Sequence, residues 1–234
     1  MSIVVQSVTK YYGEQKALDN VSFRINTGEI VGFLGPNGAG KSTMMKIITG
    51  YIPPSSGSVF VNDISITDDS SVIRRKLGYL PENNPLYPEM YVREYLEFAA
   101  SLYRSDIPLK QQVDEIIEIT GLAPERRKKI GSLSKGYRQR VGLAQALIHN
   151  PEVLILDEAT TGLDPNQIVE IRNLIRDAGK EKTVMLSTHI MQEVEALCSR
   201  VILIHQGNVI QDSPIGEFKG KYGSLEEAFT SYTN

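Results

Sequence analysis

Apolar and polar side chains alternate over the first 25 residues: Ile3, Val5 and Val8, then Leu18, Val21, Phe23 and Ile25, with a turn near Gly13 between the sets. A period of two predicts antiparallel strands with one buried face. The pattern then changes. Ile30-Val31-Gly32-Phe33-Leu34, Val153-Leu154-Ile155-Leu156, Val184-Met185-Leu186 and Val201-Ile202-Leu203-Ile204 are short continuous apolar runs, which predict strands buried on both faces. Helical spacing fills the intervals. Val92, Tyr95, Leu96, Ala99 and Leu102-Tyr103 share one face, as do Val113, Ile116, Ile117 and Thr120, then Tyr137, Val141, Ala144 and Ile148, then Ile168, Ile171, Leu174 and Ile175.

Strands alternating with helices predict an α/β fold around a mainly parallel sheet. The N-terminal strands read as an antiparallel β subdomain attached to that core. Residues from about 83 to 150 show helices and no strand, so they read as a helical subdomain inserted into one domain spanning 1–234. The segment from 214 to 234 carries Leu225, Ala228 and Phe229 at helical spacing and reads as a short capping helix.

Composition narrows the class. Hydrophobic residues make up 41 % and charged residues 23 %, which excludes a disordered tail, a collagen-like fibre and a coiled-coil rod. The net charge of −3 lacks the basic excess that charge-driven nucleic-acid binding needs, so no direct nucleic-acid partner is expected. The one basic run, Arg126-Arg127-Lys128-Lys129, reads as a solvated helix end. A lone cysteine, Cys198, builds neither an internal disulfide nor a cysteine zinc site and reads as a small buried apolar residue. No run approaches 18 apolar residues, and no basic leader precedes an apolar core at Met1 to Gln6. The expected location is therefore the cytoplasmic side, with any membrane crossing left to another polypeptide.

Chemistry enters at Gly35-Pro36-Asn37-Gly38-Ala39-Gly40-Lys41-Ser42-Thr43, which fits G-x-x-x-x-G-K-[ST] between a buried strand and a helix. The glycines let the backbone curl so that successive N–H groups form an anion nest, and the helix start adds its positive dipole end. Lys41 is placed to reach the β- and γ-phosphates and Ser42 to ligate Mg²⁺. A second buried run delivers Asp157-Glu158 at its C-terminal end, where open α/β sheets bind ligands. Asp157 is assigned to Mg²⁺ and Glu158 to the attacking water as general base. The cofactors expected from these residues are a nucleoside triphosphate and Mg²⁺.

Between these motifs lies Leu133-Ser134-Lys135-Gly136-Tyr137-Arg138-Gln139-Arg140, opening a helix. With it the chain resembles the ATP-binding-cassette (ABC) ATPases, whose signature reads Leu-Ser-Gly-Gly-Gln, across essentially its whole length. That resemblance implies a P-loop NTPase fold, a RecA-like core with an N-terminal antiparallel β subdomain, and ATP as the nucleotide bound. The Leu-Ser-Lys-Gly form and Leu80-Pro81-Glu82-Asn83 resemble the ATPase subunits of multidrug-type and gliding-motility-associated exporters.

The resemblance implies further roles. Tyr12 stacks on adenine, with Tyr11 as the alternative. Glu82 stands where the family usually has Gln; a carboxylate accepts but does not donate hydrogen bonds, so it is assigned to Mg²⁺ or water. Ala159-Thr160-Thr161-Gly162-Leu163-Asp164-Pro165 resembles the D-loop, with Ala159 where Pro is usual and Asp164 signalling to the opposite subunit. His189, in Ser187-Thr188-His189, resembles the switch histidine that contacts the γ-phosphate. Ser134, Lys135 and Gly136 are expected to close over ATP held by a second copy of the chain, Ser134 as N-cap of a helix with free N–H groups; Tyr137 replaces the usual Gln. The implied partners are that second ATP-binding subunit and a membrane-spanning permease. The Pro-rich segment from Glu82 to Tyr91 carries Leu86, Tyr87, Met90 and Tyr91, which either dock a short helix of that permease or cover their own core. The runner-up is an ABC ATPase acting on ribosomes or DNA.

Overall fold

The computed structural model describes residues 2–68, 70–220 and 222–233, with the main chain alone at 70 and 71. β1 (Ile3–Tyr12) and β2 (Gln15–Ile25) pair antiparallel around Gly13, whose φ of 58° makes the turn. Register places Ile3 opposite Ile25, Val5 opposite Phe23 and Val8 opposite Val21, all buried, as the alternation requires. Two strands absent from the sequence reading extend this sheet, β4 (Ser56–Val61) and β5 (Ile64–Ser65), in the order β2-β1-β4-β5. Ser-Gly-Ser opens β4, so its apolar pattern is only two inward residues long, Val59 and Val61. The hairpin signal was the turn, Asn62-Asp63, both in the left-handed region.

The second sheet has six strands. β3 (Ile30–Leu34) lies at its middle, between β8 (Thr183–Ser187) and β9 (Arg200–His205); β7 (Val153–Asp157) and β6 (Leu77–Leu80) continue one side, and β10 (Asn208–Pro214) pairs antiparallel at the other edge. The remaining neighbours are parallel. Alternate residues feed two cores: Val153 and Ile155 face the side covered by the antiparallel sheet and α1 (Lys41–Ile48), and Leu154 and Leu156 the helical side. Both faces being covered is why these strands read as unbroken apolar runs. β6 escaped because Gly78 interrupts it; a Cβ there would sit 2.1 Å from the Ala146 carbonyl oxygen. The short α2 (Ser70–Lys76) was likewise not read.

From Pro81 to Glu152 the described chain is helical or irregular, apart from an isolated bridge between Tyr91 and Lys129. α3 (Val92–Ser101), α4 (Leu109–Ile119) and α5 (Lys135–Leu147) bury the faces their spacing indicated. Leu102 is the departure: α3 ends one residue earlier, and Leu102 is 66 % exposed. α6 (Pro165–Gly179) and α7 (Met191–Leu197) complete the helical layer, with Cys198 buried at the end of α7 and its thiol pushed by burial up to about 12. The basic run Arg126 to Lys129 is exposed beyond a 3₁₀ turn at Ala123–Glu125, and Lys128 and Lys129 pair with Glu125 and Glu89. Two helices, α8 (Ile215–Lys219) and α9 (Leu225–Thr233), occupy the segment read as one. Phe218, Leu225 and Ala228 are buried there against the core.

Candidate active site

β3 ends at Leu34 and α1 begins at Lys41, so the loop between them turns back at the C-terminal edge of the central strand. Gly35 is required by packing, since a Cβ there would meet the Ile204 carbonyl oxygen at 2.3 Å; Gly40, at φ 109°, is required by conformation as well. Lys41 is buried, and its Nζ donates to the Gly35 and Pro36 carbonyl oxygens at 2.7 and 3.1 Å. Burial lowers its pKa, opposed by the charges of Glu158, Asp157 and Glu82.

β7 lies beside β8 with Asp157 opposite Ser187. Asp157 is 3 % exposed; burial raises its pKa, and the Ser42 hydroxyl beside it works the other way. The Ser187 hydroxyl, buried beside the same carboxyl, acts in the same direction as Ser42. Hydroxyl and carboxylate oxygens at Ser42, Asp157 and Glu82 form the hard donor set that suits Mg²⁺, which typically takes one or two carboxylates and completes its shell with phosphate oxygens and water.

Immediately past the strand, Glu158 has φ 54°, a left-handed conformation that costs on the order of 1–3 kcal/mol at a non-glycine residue. Three contacts hold it. Its N–H donates to the Ser187 carbonyl oxygen at 3.0 Å, Thr161 Oγ1 donates to its Oε2 at 2.7 Å, and His189 Nδ1 lies 2.7 Å from the same oxygen. The Glu158 side chain is 12 % exposed and that of His189 59 %, so the pair forms the wall between core and solvent.

One cavity of about 540 Å³ gathers these groups. Asn37, Gly38, Gly40, Lys41, Ser42 and Thr43 line it together with Glu82, Asp157, Glu158 and His189, and Tyr12, 48 % exposed, lines it too. Gly35, Pro36 and Ala39 form the loop without lining the cavity, and Tyr11 is outside it. Gln15, Ala17 and Thr161 line it without having been singled out in the sequence; Thr161, three residues past Glu158 in a turn, was the findable one.

The α5 start lies elsewhere. Ser134 caps α5, accepting from the Tyr137 N–H at 3.4 Å, and Lys135 and Gly136 begin the helix. Asp164 caps α6 in a reciprocal box with Gln167. A Cβ on Gly162 would come within 2.1 Å of Lys135 Nζ, and one on Gly136 within 2.5 Å of the Gln167 side chain, so these two helix starts pack on each other. None of Ser134, Lys135, Gly136 or Asp164 borders the phosphate-loop cavity in its own chain.

Comparison with known proteins agrees with this geometry. Residues 18–161 match the ABC transporter family. The bacitracin transport ATP-binding protein BcrA of Bacillus licheniformis is 39 % identical over 94 % of this chain and 72 % of its own length. The linearmycin resistance ATP-binding protein LnrL of Bacillus subtilis is 36 % identical over 88 % of this chain and 68 % of its own. Among solved structures, the ATP-binding cassette MJ0796, a dimer in a post-hydrolysis state with ADP and phosphate, superposes with a TM-score of 0.84 at 30 % identity, covering 91 % of this chain and 98 % of that one. The chain belongs to the ABC transporter family, as an ATP-binding subunit that hydrolyses ATP.

Proposed function

We propose that two copies of this chain close head to tail over two ATP molecules, and that the closure and reopening drive a separate membrane-spanning permease that exports its cargo. The observation that carries the reading is the single cavity joining Lys41 and Ser42 to Asp157, Glu158, His189 and Glu82.

In this mechanism the loop N–H groups cradle the phosphates, and Lys41 exchanges its contacts with the Gly35 and Pro36 carbonyls for phosphate oxygens. Ser42, Asp157 and Glu82 would hold Mg²⁺, which would supply positive charge beside the phosphates. Glu158 Oε2 orients the attacking water and takes its proton, and His189 fixes that carboxylate and faces the γ-phosphate. Tyr12 stacks on adenine. The α5 start of one copy, with Ser134, Lys135 and Gly136, seals the phosphates held by the other, and Asp164 lies at the seam between them. The placement of these four residues outside their own chain's cavity supports a site completed by a second chain.

Residues 1–234 act as one nucleotide-binding domain, with the helices of 83–150 as its helical subdomain and the C-terminal helices capping the core. Among the described residues no helix is long and apolar enough to cross a membrane. The permease is what would hold the chain at the cytoplasmic face. Leu86 and Met90 pack partly onto the helical core, whereas Tyr87 and Tyr91 are 54 % and 48 % exposed. The segment thus anchors itself with one pair and offers the other to a permease helix. The transport of bacitracin and the linearmycin resistance named for two relatives support export.

The test is purification of the tagged chain from detergent-solubilised native membranes, with Tyr87→Glu alongside. A multi-span membrane protein in equal amount, lost from the Tyr87→Glu preparation, is the expected result. Ribosomal or DNA-associated proteins in its place would overturn the permease reading and leave the ATP chemistry standing.

A further inference from the structure

Glu193 is the least exposed carboxylate among the described residues, 1 % accessible on α7, and the ATP chemistry above does not use it. Its Oε2 accepts from Thr188 Oγ1 at 2.7 Å, and its Oε1 accepts from Thr160 Oγ1. The Arg172 guanidinium stands 4.0 Å from Oε1 and supplies opposite charge. Thr188 Oγ1 in turn accepts the Ile190 N–H at 3.1 Å. A carboxylate buried this far is tolerated only with such partners.

The positions of those partners give the cluster its meaning. Thr160 follows Glu158 by two residues and Thr188 immediately precedes His189. Besides the Glu158 N–H bond to the Ser187 carbonyl oxygen, the loops after β7 and β8 are therefore bridged twice by side chains: once at the cavity wall, through Glu158 and His189, and once beneath it, through Glu193. The outer bridge is open to solvent on the histidine side, so water and salt weaken it; the inner one is not. Glu158 also holds a left-handed backbone, which persists only where surrounding contacts over-determine it.

We propose that Glu193 is a positioning residue for ATP hydrolysis, a buried clamp that fixes Glu158 and His189 at their working separation by holding Thr160 and Thr188 on one carboxylate. The inference rests on the roles given to Glu158 and His189 above. It does not involve nucleotide binding, because neither threonine lines the cavity.

The hydroxyls are the handle, since Thr→Val keeps the shape and removes the bond while sparing the buried charge its deletion. Thr160→Val is the cleaner variant, because Thr188→Val also costs the Ile190 N–H its acceptor. Each is expected to lower kcat for ATP by about tenfold, with KM changed less than about twofold, the mark of an interaction expressed in the transition state. The double variant is expected to lose little more than either single, because both act through Glu193. Thr160→Ser and Thr188→Ser, which restore the hydroxyl, are expected to recover most of the rate. Parent-like kcat in both valine variants, losses that multiply in the double, or serine variants no better than valine would each overturn the clamp. Glu158→Gln, assayed in parallel, separates the failures: if it abolishes turnover while the valine variants do nothing, only the clamp falls, and if it turns over normally, the assignment of Glu158 falls and takes the clamp with it.

Discussion

Replacing Glu158 with Gln separates the chemistry from the fold. The amide oxygen still accepts the Thr161 hydroxyl, and the side chain keeps its volume, so the turn at φ 54° retains its support. What is lost is the basic oxygen and its charge toward His189. Because the His189 side chain is 59 % exposed, that pairing stabilises the fold by at most ~1 kcal/mol, or about 2–4 °C in a chain of this length. A positioned general base, in contrast, contributes about 10²–10⁴-fold to rate, ~2.7–5.5 kcal/mol of barrier. Turnover should therefore collapse while the melting temperature stays nearly fixed and ATP binding persists, with the protein accumulating as a nucleotide-bound dimer. Phosphate release, differential scanning calorimetry and light scattering with ATP read the three quantities. Turnover within tenfold of the parent would refute the general-base assignment; a fall of more than ~8 °C would show that Glu158 holds the fold rather than the water.

Three further outcomes follow from the same structure. Lys41→Ala removes the buried ammonium from the phosphate loop, and ATP affinity by titration calorimetry should drop about a hundredfold or more; unchanged affinity would mean the phosphates sit elsewhere. Gly142→Ala places a Cβ 1.7 Å from Asn84 Nδ2 and 2.7 Å from Leu80 Cδ1, an overpacking that should destabilise by ~1–3 kcal/mol in thermal melts. His149 is stacked on Tyr103 with ring centroids 4.0 Å apart, and burial lowers its pKa from 6.5 to about 4. Since the unfolded chain takes up that proton first, its contribution to stability is complete above pH 6.5 and is lost as pH falls toward 4. His149→Phe should flatten the loss of stability across that window in urea melts; identical slopes for parent and variant would remove His149 as the cause.

How much of this was legible depended on what each pattern had to bury. β3, β7, β8 and β9 were readable because a parallel strand covered on both faces leaves an unbroken apolar run. β4, β5 and β6 were not, because Ser56-Gly57-Ser58 is polar and Gly78 breaks its run to let the Ala146 carbonyl approach. The phosphate loop and Asp157-Glu158 were local in sequence and so could be assigned from residues alone. His189 needed the family resemblance, since nothing near it in sequence says that β8 will lie beside β7 and set it 2.7 Å from Glu158. Glu193 was invisible for the same reason: an acid four residues past a histidine says nothing until folding brings Thr160 and Thr188 to it. The four residues at the α5 and α6 starts lie outside that cavity, the placement that a site completed by a second chain requires.

That last point is the centre of the account, and mixing two crippled variants tests it most directly. Lys41→Ala lacks a working phosphate loop but keeps the α5 start; Ser134→Arg blocks the α5 start but keeps the loop. Alone, each should be inactive as an ATPase. Mixed in equal amounts, they should recover up to about a quarter of parent turnover, since half of randomly paired dimers are mixed and each of those holds one intact site. A mixture as inactive as its components would contradict a site built from two chains.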